Sequence, residues 1–157
     1  MNDTIKLIIA ESEAHFEDGK KLFREYAASL PIDLAFQRFE EELDTVREQY
    51  GPPSGVLVLA YADERAVGCA GVRNKGQGIA ELKRMYVQPE FRGYQLGRLL
   101  LERSAEMAKD LGYEKLRLDT LASMTGARRL YESFGFGIIP AYYDNPHEDA
   151  IYMEKML

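Results

Sequence analysis

One stretch of the sequence has the residue types of an anion-binding turn. It runs from Glu81 to Arg98, and its second half is basic and contains several glycines. Arg92 and Arg98 supply fixed positive charge, while Gly93 and Gly97 let the backbone approach a bound group closely. Because a helix follows directly, the unpaired N–H groups and the positive dipole of its first turn lie at the same place. The expected guest is a phosphate or a pyrophosphate.

A strand leads into this turn. The pattern predicts a strand from Ile79 to Val87, which ends because Pro89 cannot donate to a strand ladder and biases the residue before it away from helix. The alternative interpretation is a basic surface turn before an ordinary helix, since short glycine motifs often occur by chance. The order of the surrounding elements distinguishes the two interpretations.

The composition indicates an ordinary globular protein. The chain has 157 residues, of which 46% are hydrophobic and 29% charged, and this predicts one domain over residues 1–157. The net charge of −6 argues against nucleic acid or an anionic membrane as the main partner. The local basic cluster of Lys83, Arg84, Arg92 and Arg98 therefore suits a small polyanion better than a long one.

Three further features concern the cellular setting. The single cysteine, Cys69, lies in an apolar run and is expected to be a buried structural thiol. The first residues lack the pattern of a secretory signal, and no segment approaches the ~20 apolar residues of a membrane span. A cytoplasmic protein is therefore expected.

His15 and His147 lack the spacing of metal ligands, so no metal site is predicted.

Hydrophobic periodicity and turn residues predict a mixed α/β (α+β) fold. The predicted strands are Ile5–Ala10, Val56–Tyr61, Ala66–Arg73, Ile79–Val87, Lys115–Thr120, Phe136–Ile139 and Ala150–Leu157. Short turns make the second to fourth strands an antiparallel meander, and a crossover helix makes the fifth strand parallel to the fourth. The predicted order is β-α-α-β-β-β-α-β-α-β-β, a mostly antiparallel sheet of about seven strands flanked by four helices.

Three motifs resemble the GCN5-related N-acetyltransferase (GNAT) superfamily. They are Met85–Gly93, which reads Met-Tyr-Val-Gln-Pro-Glu-Phe-Arg-Gly, the turn through Gly97, and Leu130–Phe136, which reads Leu-Tyr-Glu-Ser-Phe-Gly-Phe. The element order is also similar to that of the family, and the match covers nearly the whole chain. The resemblance implies an acetyltransferase that uses acetyl-CoA. A homodimer is common in the family, although the sequence itself does not reveal the oligomeric state.

The resemblance assigns the cofactor to the place where the fourth strand separates from the fifth. Backbone groups left unpaired there, at Met85 and Val87, would bind the pantetheine amides. The Arg92–Arg98 turn would bind the pyrophosphate. The full set of implied cofactor residues is Met85, Tyr86, Val87, Arg92, Gly93, Tyr94, Gln95, Leu96, Gly97, Arg98, Thr120 and Ser123.

Two positions depart from the family pattern. Gln95 stands where the family has its first glycine, which suits the turn only if this residue needs neither a positive φ nor close contact. Met124 stands where many members have an asparagine that reaches the cofactor. Thr120 or Ser123 is expected to take over that contact.

Direct transfer to an amine requires a base for the ammonium group and an acid for the departing thiolate. Glu81 is the predicted base, because its strand leads to the cofactor site and partial burial would raise its pKa. The alternative is a Glu81 that pairs with Lys83 or Arg117 on a solvated face. Asp119 is the second candidate base. The resemblance implies Tyr131 as the acid, and the alternative is a packed tyrosine whose hydroxyl bonds the backbone.

The acceptor site is expected opposite the cofactor, between the second helix and the loop before the last strand. Its candidate residues are Asp33, Phe36, Gln37, Asp119, Tyr142, Tyr143 and Asn145. The tyrosine-rich loop is interpreted as a lid over the substrate or, alternatively, as a packed cover on the sheet. The partner would be a small-molecule or peptide amine.

Three functions are compatible with the sequence to different degrees. The leading hypothesis is an acetyl-CoA-dependent N-acetyltransferase. The second is a binding module, either an acyl-CoA sensor or an inactive relative whose turn still holds the cofactor. A generic nucleotide-binding α/β protein fits poorly, because no glycine-rich loop follows the first strand. Fold and cofactor motifs do not identify the acceptor.

Overall fold

The computed structural model describes residues 4–31, 33–34, 38–93 and 95–157, and within them seven strands form one mixed sheet. The strands are β1 (Ile5–Ile9), β2 (Val56–Ala62), β3 (Arg65–Gly76), β4 (Ile79–Val87), β5 (Lys115–Leu121), β6 (Gly137–Ile139) and β7 (Ala150–Met156). Their order across the sheet is β1-β2-β3-β4-β5-β7-β6. The predicted fold class and the seven predicted strands are confirmed, with differences only at the strand ends.

The described residues contain five α-helices, whereas the sequence predicts four. They are α1 (Glu13–Ser29), α2 (Phe39–Asp44), α3 (Val46–Gln49), α4 (Leu96–Asp110) and α5 (Thr125–Ser133). The second predicted helix is two short helices, because the chain leaves helical geometry at Thr45, with φ −118° and ψ 25°. The Thr45 hydroxyl donates to the Glu41 carbonyl at 2.8 Å, a bond that competes with continuation of the helix. No helix in this part of the chain is long and apolar enough to cross a membrane.

The pairing of β4 with β5 creates the gap in which the candidate site lies. Every other neighbouring pair in the sheet is antiparallel, whereas β4 and β5 run parallel, as predicted. Their register extends only from Ile79 opposite Lys115 to Glu81 opposite Arg117. Beyond these residues both strands continue without pairing to each other. A gap therefore opens between their carboxyl ends.

A β-bulge in β4 shapes one side of this gap. The register with β3 shifts between the pair Cys69–Tyr86 and the pair Gly71–Lys83. Within the bulge, Arg84 has a left-handed φ of 59°. Such a φ is unusual for a residue with a Cβ, and it persists only where the surrounding structure holds it.

The bulge places two successive cations on the same face of the sheet. Leu82 and Met85 pack with the hydrophobic core that includes α4. The two residues between them, Lys83 and Arg84, instead form ion pairs on the opposite face. An uninterrupted strand would have directed these two side chains to opposite faces.

Hydrophobic cores lie on both faces of the sheet. Leu100 of α4 belongs to one core, and Phe23 of α1 and Tyr50 belong to the other. Gly71 lies beneath the Tyr50 ring, where a Cβ would come within 2.6 Å of a ring carbon. This close approach lets the buried Tyr50 hydroxyl donate to Glu42 at 3.0 Å. The second core therefore contains a buried carboxylate close to the gap.

Cys69 lies inside this second core. It is fully buried, and its thiol donates to the Arg84 carbonyl at 3.2 Å. Burial raises the pKa of the Cys69 thiol, which keeps it protonated. The prediction of a buried structural thiol is confirmed.

Candidate active site

A cleft of ≈ 740 Å³ lies between the end of β4, the turn before α4 and the start of α5. Its lining includes nine of the predicted cofactor residues: Met85, Tyr86, Val87, Arg92, Gly93, Gln95, Leu96, Gly97 and Arg98. Three predicted residues are absent from this lining. Tyr94 lies outside the described residues, Ser123 is exposed, and Thr120 lines a separate cavity in the gap.

The cleft has an anion site at the N-terminus of α4. Gln95, at the N-cap, makes no side-chain capping bond, so the first N–H groups of this 15-residue helix are available to a bound anion. Arg98 donates to Glu102 at 3.1 Å, and Arg92 donates to the Val87 carbonyl at 3.0 Å. Both guanidinium groups therefore have protein partners, and both add positive charge at the margin of the cleft.

Gln95 adopts the left-handed backbone conformation. Its φ is 60° and its ψ is 22°, so the condition that this position needs no positive φ is not met. The conformation costs roughly 1–2 kcal/mol in a residue with a Cβ, whereas glycine adopts it freely. The turn therefore forms with glutamine at this position but holds strain that glycine would relieve.

A smaller cavity of ≈ 90 Å³ occupies the gap between β4 and β5. Of the predicted site residues, Met85, Asp119, Thr120, Tyr131 and Asn145 line it. Its lining shares four residues with the cleft, namely Tyr26, Met85, Met124 and Ala127. The cleft and the cavity therefore adjoin, and a group at the end of the cleft would meet a molecule in the cavity.

Glu81 lies outside both spaces and is fully buried. Arg73 Nε donates to its Oε1 at 2.9 Å, and the Tyr142 hydroxyl donates to its Oε2 at 2.8 Å. Burial acts to raise the pKa of Glu81, but the charges of Lys83 and Arg73 outweigh it and hold the pKa below its ordinary value. The expectations of a raised pKa and of a solvated pairing with Lys83 or Arg117 are both wrong. With both oxygens bonded, Glu81 is poorly placed to accept a proton from an acceptor.

Asp119 is the carboxylate that faces the cavity. The Tyr143 hydroxyl donates to its Oδ2 at 2.7 Å, and Lys83 Nζ lies 3.6 Å from its Oδ1. Asn145 Nδ2 donates in turn to the Tyr143 hydroxyl at 3.3 Å. Three of the predicted acceptor residues, Asp119, Tyr143 and Asn145, are thus joined in one hydrogen-bonded chain at the cavity.

Tyr131 is a buried residue on the cavity wall. Its ring packs edge-to-face on Phe136, with centroids 5.9 Å apart. Within the part of the chain that the structure describes, its hydroxyl makes no hydrogen bond, so the alternative of a hydroxyl held by the backbone is wrong. Burial, together with Tyr26 and Asp119, raises the pKa of Tyr131 above its ordinary value. The phenol is therefore protonated at neutral pH.

The tyrosine-rich loop packs against the sheet. The rings of Tyr142, Tyr143 and Tyr152 form a cluster with centroids 5.1 to 5.5 Å apart. The hydroxyls of the first two bind the carboxylates of Glu81 and Asp119. These contacts favour the packed cover over the lid.

Of the acceptor residues expected near the second helix, one lies within the described residues. Asp33 is exposed and lines neither space, while Phe36 and Gln37 lie outside the described residues. Leu34 and Tyr26 line the cavity, and sequence reasoning missed both. The helical periodicity of α1 indicated a buried stripe, but it gave no sign that one end of that stripe forms the cavity wall.

The basic cluster seen in the sequence divides between the two spaces. Arg92 and Arg98 line the cleft, as expected for a phosphate site. Lys83 and Arg84 line the cavity instead, so the expectation that all four suit one polyanion is wrong. The bulge at Arg84, which the sequence did not reveal, separates them.

Comparisons with known proteins agree with this geometry. The model of the Acetyltransferase (GNAT) family matches residues 20–136. The chain belongs to this family. An uncharacterized N-acetyltransferase of Schizosaccharomyces pombe is 42% identical, over 87% of this chain and 85% of that protein. An IAA acetyltransferase of Azospirillum brasilense is 38% identical, over 83% of this chain and 96% of that protein.

Solved GNAT structures share the fold. The PaiA N-acetyltransferase of Thermoplasma acidophilum, solved in complex with coenzyme A, has a TM-score of 0.72 and 19% sequence identity. The likeness covers 98% of this chain and 99% of that chain. The predicted family is confirmed, and acetyl-CoA is the cofactor of GNAT acetyltransferases.

The second departure from the GNAT pattern also lies at the site. Met124 lines both the cleft and the cavity, and its sulfur accepts a weak bond from the Thr120 hydroxyl at 3.9 Å. Neither Thr120 nor Ser123 lines the cleft, so the expectation that one of them takes over the asparagine's contact with the cofactor is not supported. A thioether therefore stands at the junction of the two spaces.

Replacing Glu81 by glutamine is expected to lower the free energy of unfolding by about 3 kcal/mol at neutral pH, because it leaves Arg73 beside an uncharged partner. The pKa of Glu81 is lowered in the fold, so its contribution is complete above the ordinary carboxyl pKa and is lost as the pH falls through the lowered value. The difference between wild type and variant should therefore shrink in acid. Denaturant unfolding at a series of pH values measures both effects.

The exposed ion pair of Glu106 with Arg103 supplies the control for this prediction. Glu106→Gln should change the free energy of unfolding by less than about 1 kcal/mol. An effect of Glu81→Gln as small as that of the control at neutral pH would contradict the structural role of Glu81.

Replacing Gln95 by glycine is expected to raise the free energy of unfolding by about 1 kcal/mol, because glycine removes the strain of the left-handed conformation. Gln95→Ala keeps a Cβ and should give no such gain. Thermal unfolding of the two variants beside the wild type makes the comparison. An equal gain in both would show that the glutamine side chain, and not the backbone strain, is responsible.

Proposed function

We propose that the chain transfers the acetyl group of acetyl-CoA directly to the primary amine of a small-molecule or peptide acceptor. The observation that carries this proposal is the junction of two spaces in the gap between β4 and β5. Tyr26, Met85, Met124 and Ala127 belong to the lining of both. A thioester at the end of the cleft would thus face an amine in the cavity, as direct transfer requires.

The cofactor would lie in the cleft, with its pyrophosphate at the N-terminus of α4. Uncapped N–H groups, the helix dipole, and Arg92 and Arg98 at the margin all favour negative charge there. The pantetheine arm would follow β4 at Met85 and Val87, past the point where β4 loses its pairing with β5. The coenzyme A complex of the structurally similar PaiA acetyltransferase supports this proposal.

Asp119 is proposed as the base and Tyr131 as the acid. Asp119 faces the cavity and would take a proton from the acceptor ammonium, directly or through water. The free amine would attack the thioester carbon, and the carbon–sulfur bond of the resulting intermediate would break while the nitrogen releases its second proton to water. The Tyr131 hydroxyl would then protonate the departing thiolate and regain a proton from water. Burial raises the pKa of this phenol, so the transfer requires a thiolate in the same buried surroundings, where its own pKa would also be raised.

The size of the cavity favours a small acceptor. Its volume of ≈ 90 Å³ is less than the ~150 Å³ of a cavity that holds benzene. The alternative function, an acyl-CoA sensor without turnover, is favoured by two observations. Gln95 and Met124, the two departures from the pattern that the GNAT resemblance implies, both line the cofactor cleft.

Calorimetry with acetyl-CoA, followed by a thiol-release assay across small primary amines, tests the proposed function. Binding followed by amine-dependent thiol release is expected. Binding without release for every amine would favour the sensor. Absence of binding would contradict both functions, since each requires an occupied cleft.

Replacing Gly97 by alanine is expected to weaken coenzyme A binding about tenfold, because a methyl group would crowd the wall of the cleft. A Cβ at this position meets only Leu130, at 3.6 Å, so the free protein should fold normally. Titration calorimetry and thermal unfolding separate the two effects. Gly137→Ala in β6, where a Cβ meets nothing within 4 Å, is the matched control. If Gly97→Ala binds coenzyme A with unchanged affinity, the assignment of this turn to the cofactor site would be contradicted.

Replacing Tyr131 by phenylalanine is expected to lower kcat about 100-fold, because the thiolate would lose its proton donor. The Kd for acetyl-CoA should stay near that of the wild type. Tyr113→Phe removes a hydroxyl that donates to the Ser54 carbonyl outside both spaces and serves as the control. A Tyr131→Phe enzyme with full turnover would contradict the assigned acid role.

A further inference from the structure

Six buried or half-buried charges lie at or near the acceptor cavity, and they form four ion pairs. Glu42 accepts two bonds from Arg84, both at 2.9 Å, and Glu81 pairs with Arg73 at 2.9 Å. The third pair is Lys83 with Asp119, and the fourth joins Arg73 to Glu42 at 3.7 Å. The exposed fractions of the six side chains run from 1% to 25%. Three carboxylates and three cations give this cluster no net charge.

Two further cations lie at the margin of this cluster. Arg117 is paired with Glu154 at 2.6 Å, and Lys75 is exposed above the rings of Tyr142 and Tyr143 and acts on Glu81 from there. Among the described residues, a guest that carries a net charge into the cavity would therefore lose hydration without gaining a buried partner of opposite charge outside these ion pairs. A simple alkylammonium ion brings one positive charge. A zwitterion brings none.

Lys83, Arg84 and Asp119 are the members of the cluster that line the cavity. The guanidinium of Arg84 is held by both oxygens of Glu42 and lies 5.2 Å from the centre of the Phe39 ring. Lys83 Nζ and Asp119 Oδ1 are 3.6 Å apart, which is longer than a hydrogen bond. These two groups, opposite in charge and adjacent on the cavity wall, are the pair that a zwitterion can bridge.

We propose that the acceptor is a small aminocarboxylate, such as an amino acid, whose ammonium binds Asp119 and whose carboxylate binds Lys83. The inference rests on the proposed acetyl transfer and deepens it by naming the acceptor class. The proton released by the ammonium passes to Asp119 within the site, so the net charge stays zero until the amine attacks. The aliphatic part of the acceptor lies against Tyr26, Leu30 and Leu34 on the cavity wall.

The bulge explains why this pair exists. Without the extra residue at Arg84, strand alternation would place only every second side chain of β4 on this face. Because Arg84 neutralises Glu42, Lys83 does not have to serve that carboxylate and lies beside Asp119. The two successive cations therefore have different roles. Arg84 pairs with Glu42 and so holds α2 on the sheet, whereas Lys83 binds the carboxylate of the proposed acceptor.

Acetylation of matched acceptors by the intact protein tests the proposal. Glycine and alanine are each compared with the corresponding amino-acid amide and with the decarboxylated amine, namely methylamine or ethylamine. The amide has a less basic amine than the acid, so a preference for the acid cannot come from a larger fraction of free amine. In at least one series, kcat/KM for the acid should exceed that for the amide and the amine by about tenfold to hundredfold.

Two variants test whether Lys83 causes the preference for the acid over the amide. Lys83→Gln should bring the acid-to-amide ratio of kcat/KM close to one, whatever its effect on overall turnover. Lys6→Gln, the same substitution at an exposed position of β1, should leave the ratio unchanged. A ratio that survives Lys83→Gln would overturn the proposal.

The remaining outcomes separate this inference from the proposed function. Acetylation of amines or amides in preference to acids in every series overturns the inference and leaves the acetyltransferase in place. Absence of turnover with all three classes, in a protein that binds acetyl-CoA, also overturns the inference. Failure to bind acetyl-CoA would contradict both the inference and the proposed function, since each requires a bound cofactor.

Discussion

The short pairing between β4 and β5 is the constraint on which the rest of the site depends. Parallel strands normally continue their ladder as long as both keep their register. Here the ladder ends at Glu81 opposite Arg117, and β4 then bulges at Arg84. The cofactor cleft and the acceptor cavity adjoin at the gap that results. In the proposed function, the interruption of the sheet is therefore the feature that would bring the two reactants together.

Buried charges determine how the elements around this gap are oriented. Arg73 of β3 joins Glu81 of β4, which also accepts from Tyr142 of the late loop. Arg84 joins β4 to Glu42 of α2. Buried ion pairs add little net stability, because desolvation offsets their attraction, but removal of one partner is strongly destabilising. Here they join α2, the two strands and the late loop to one another.

The sequence predicted those features that depend on local pattern. The span Ile79–Val87 was predicted with the correct bounds, because alternation and a following proline are local signals. The features that the sequence did not predict depend on distant partners. Glu81 has the position of a base, but its partner Arg73 lies on another strand, and no local pattern reveals that pairing. Likewise, Gln95 adopts a glycine-like φ because the turn requires it, against the preference of the residue.

Amide hydrogen exchange with and without coenzyme A tests the central claim most directly. If the cofactor lies in the gap beyond the last β4–β5 pair and at the start of α4, exchange should slow in the segment 82–98 and at the beginning of α5. β1 and β6, which are remote from the cleft, should exchange at unchanged rates. Protection confined to other segments, with 82–98 unaffected by a saturating concentration of coenzyme A, would contradict the account.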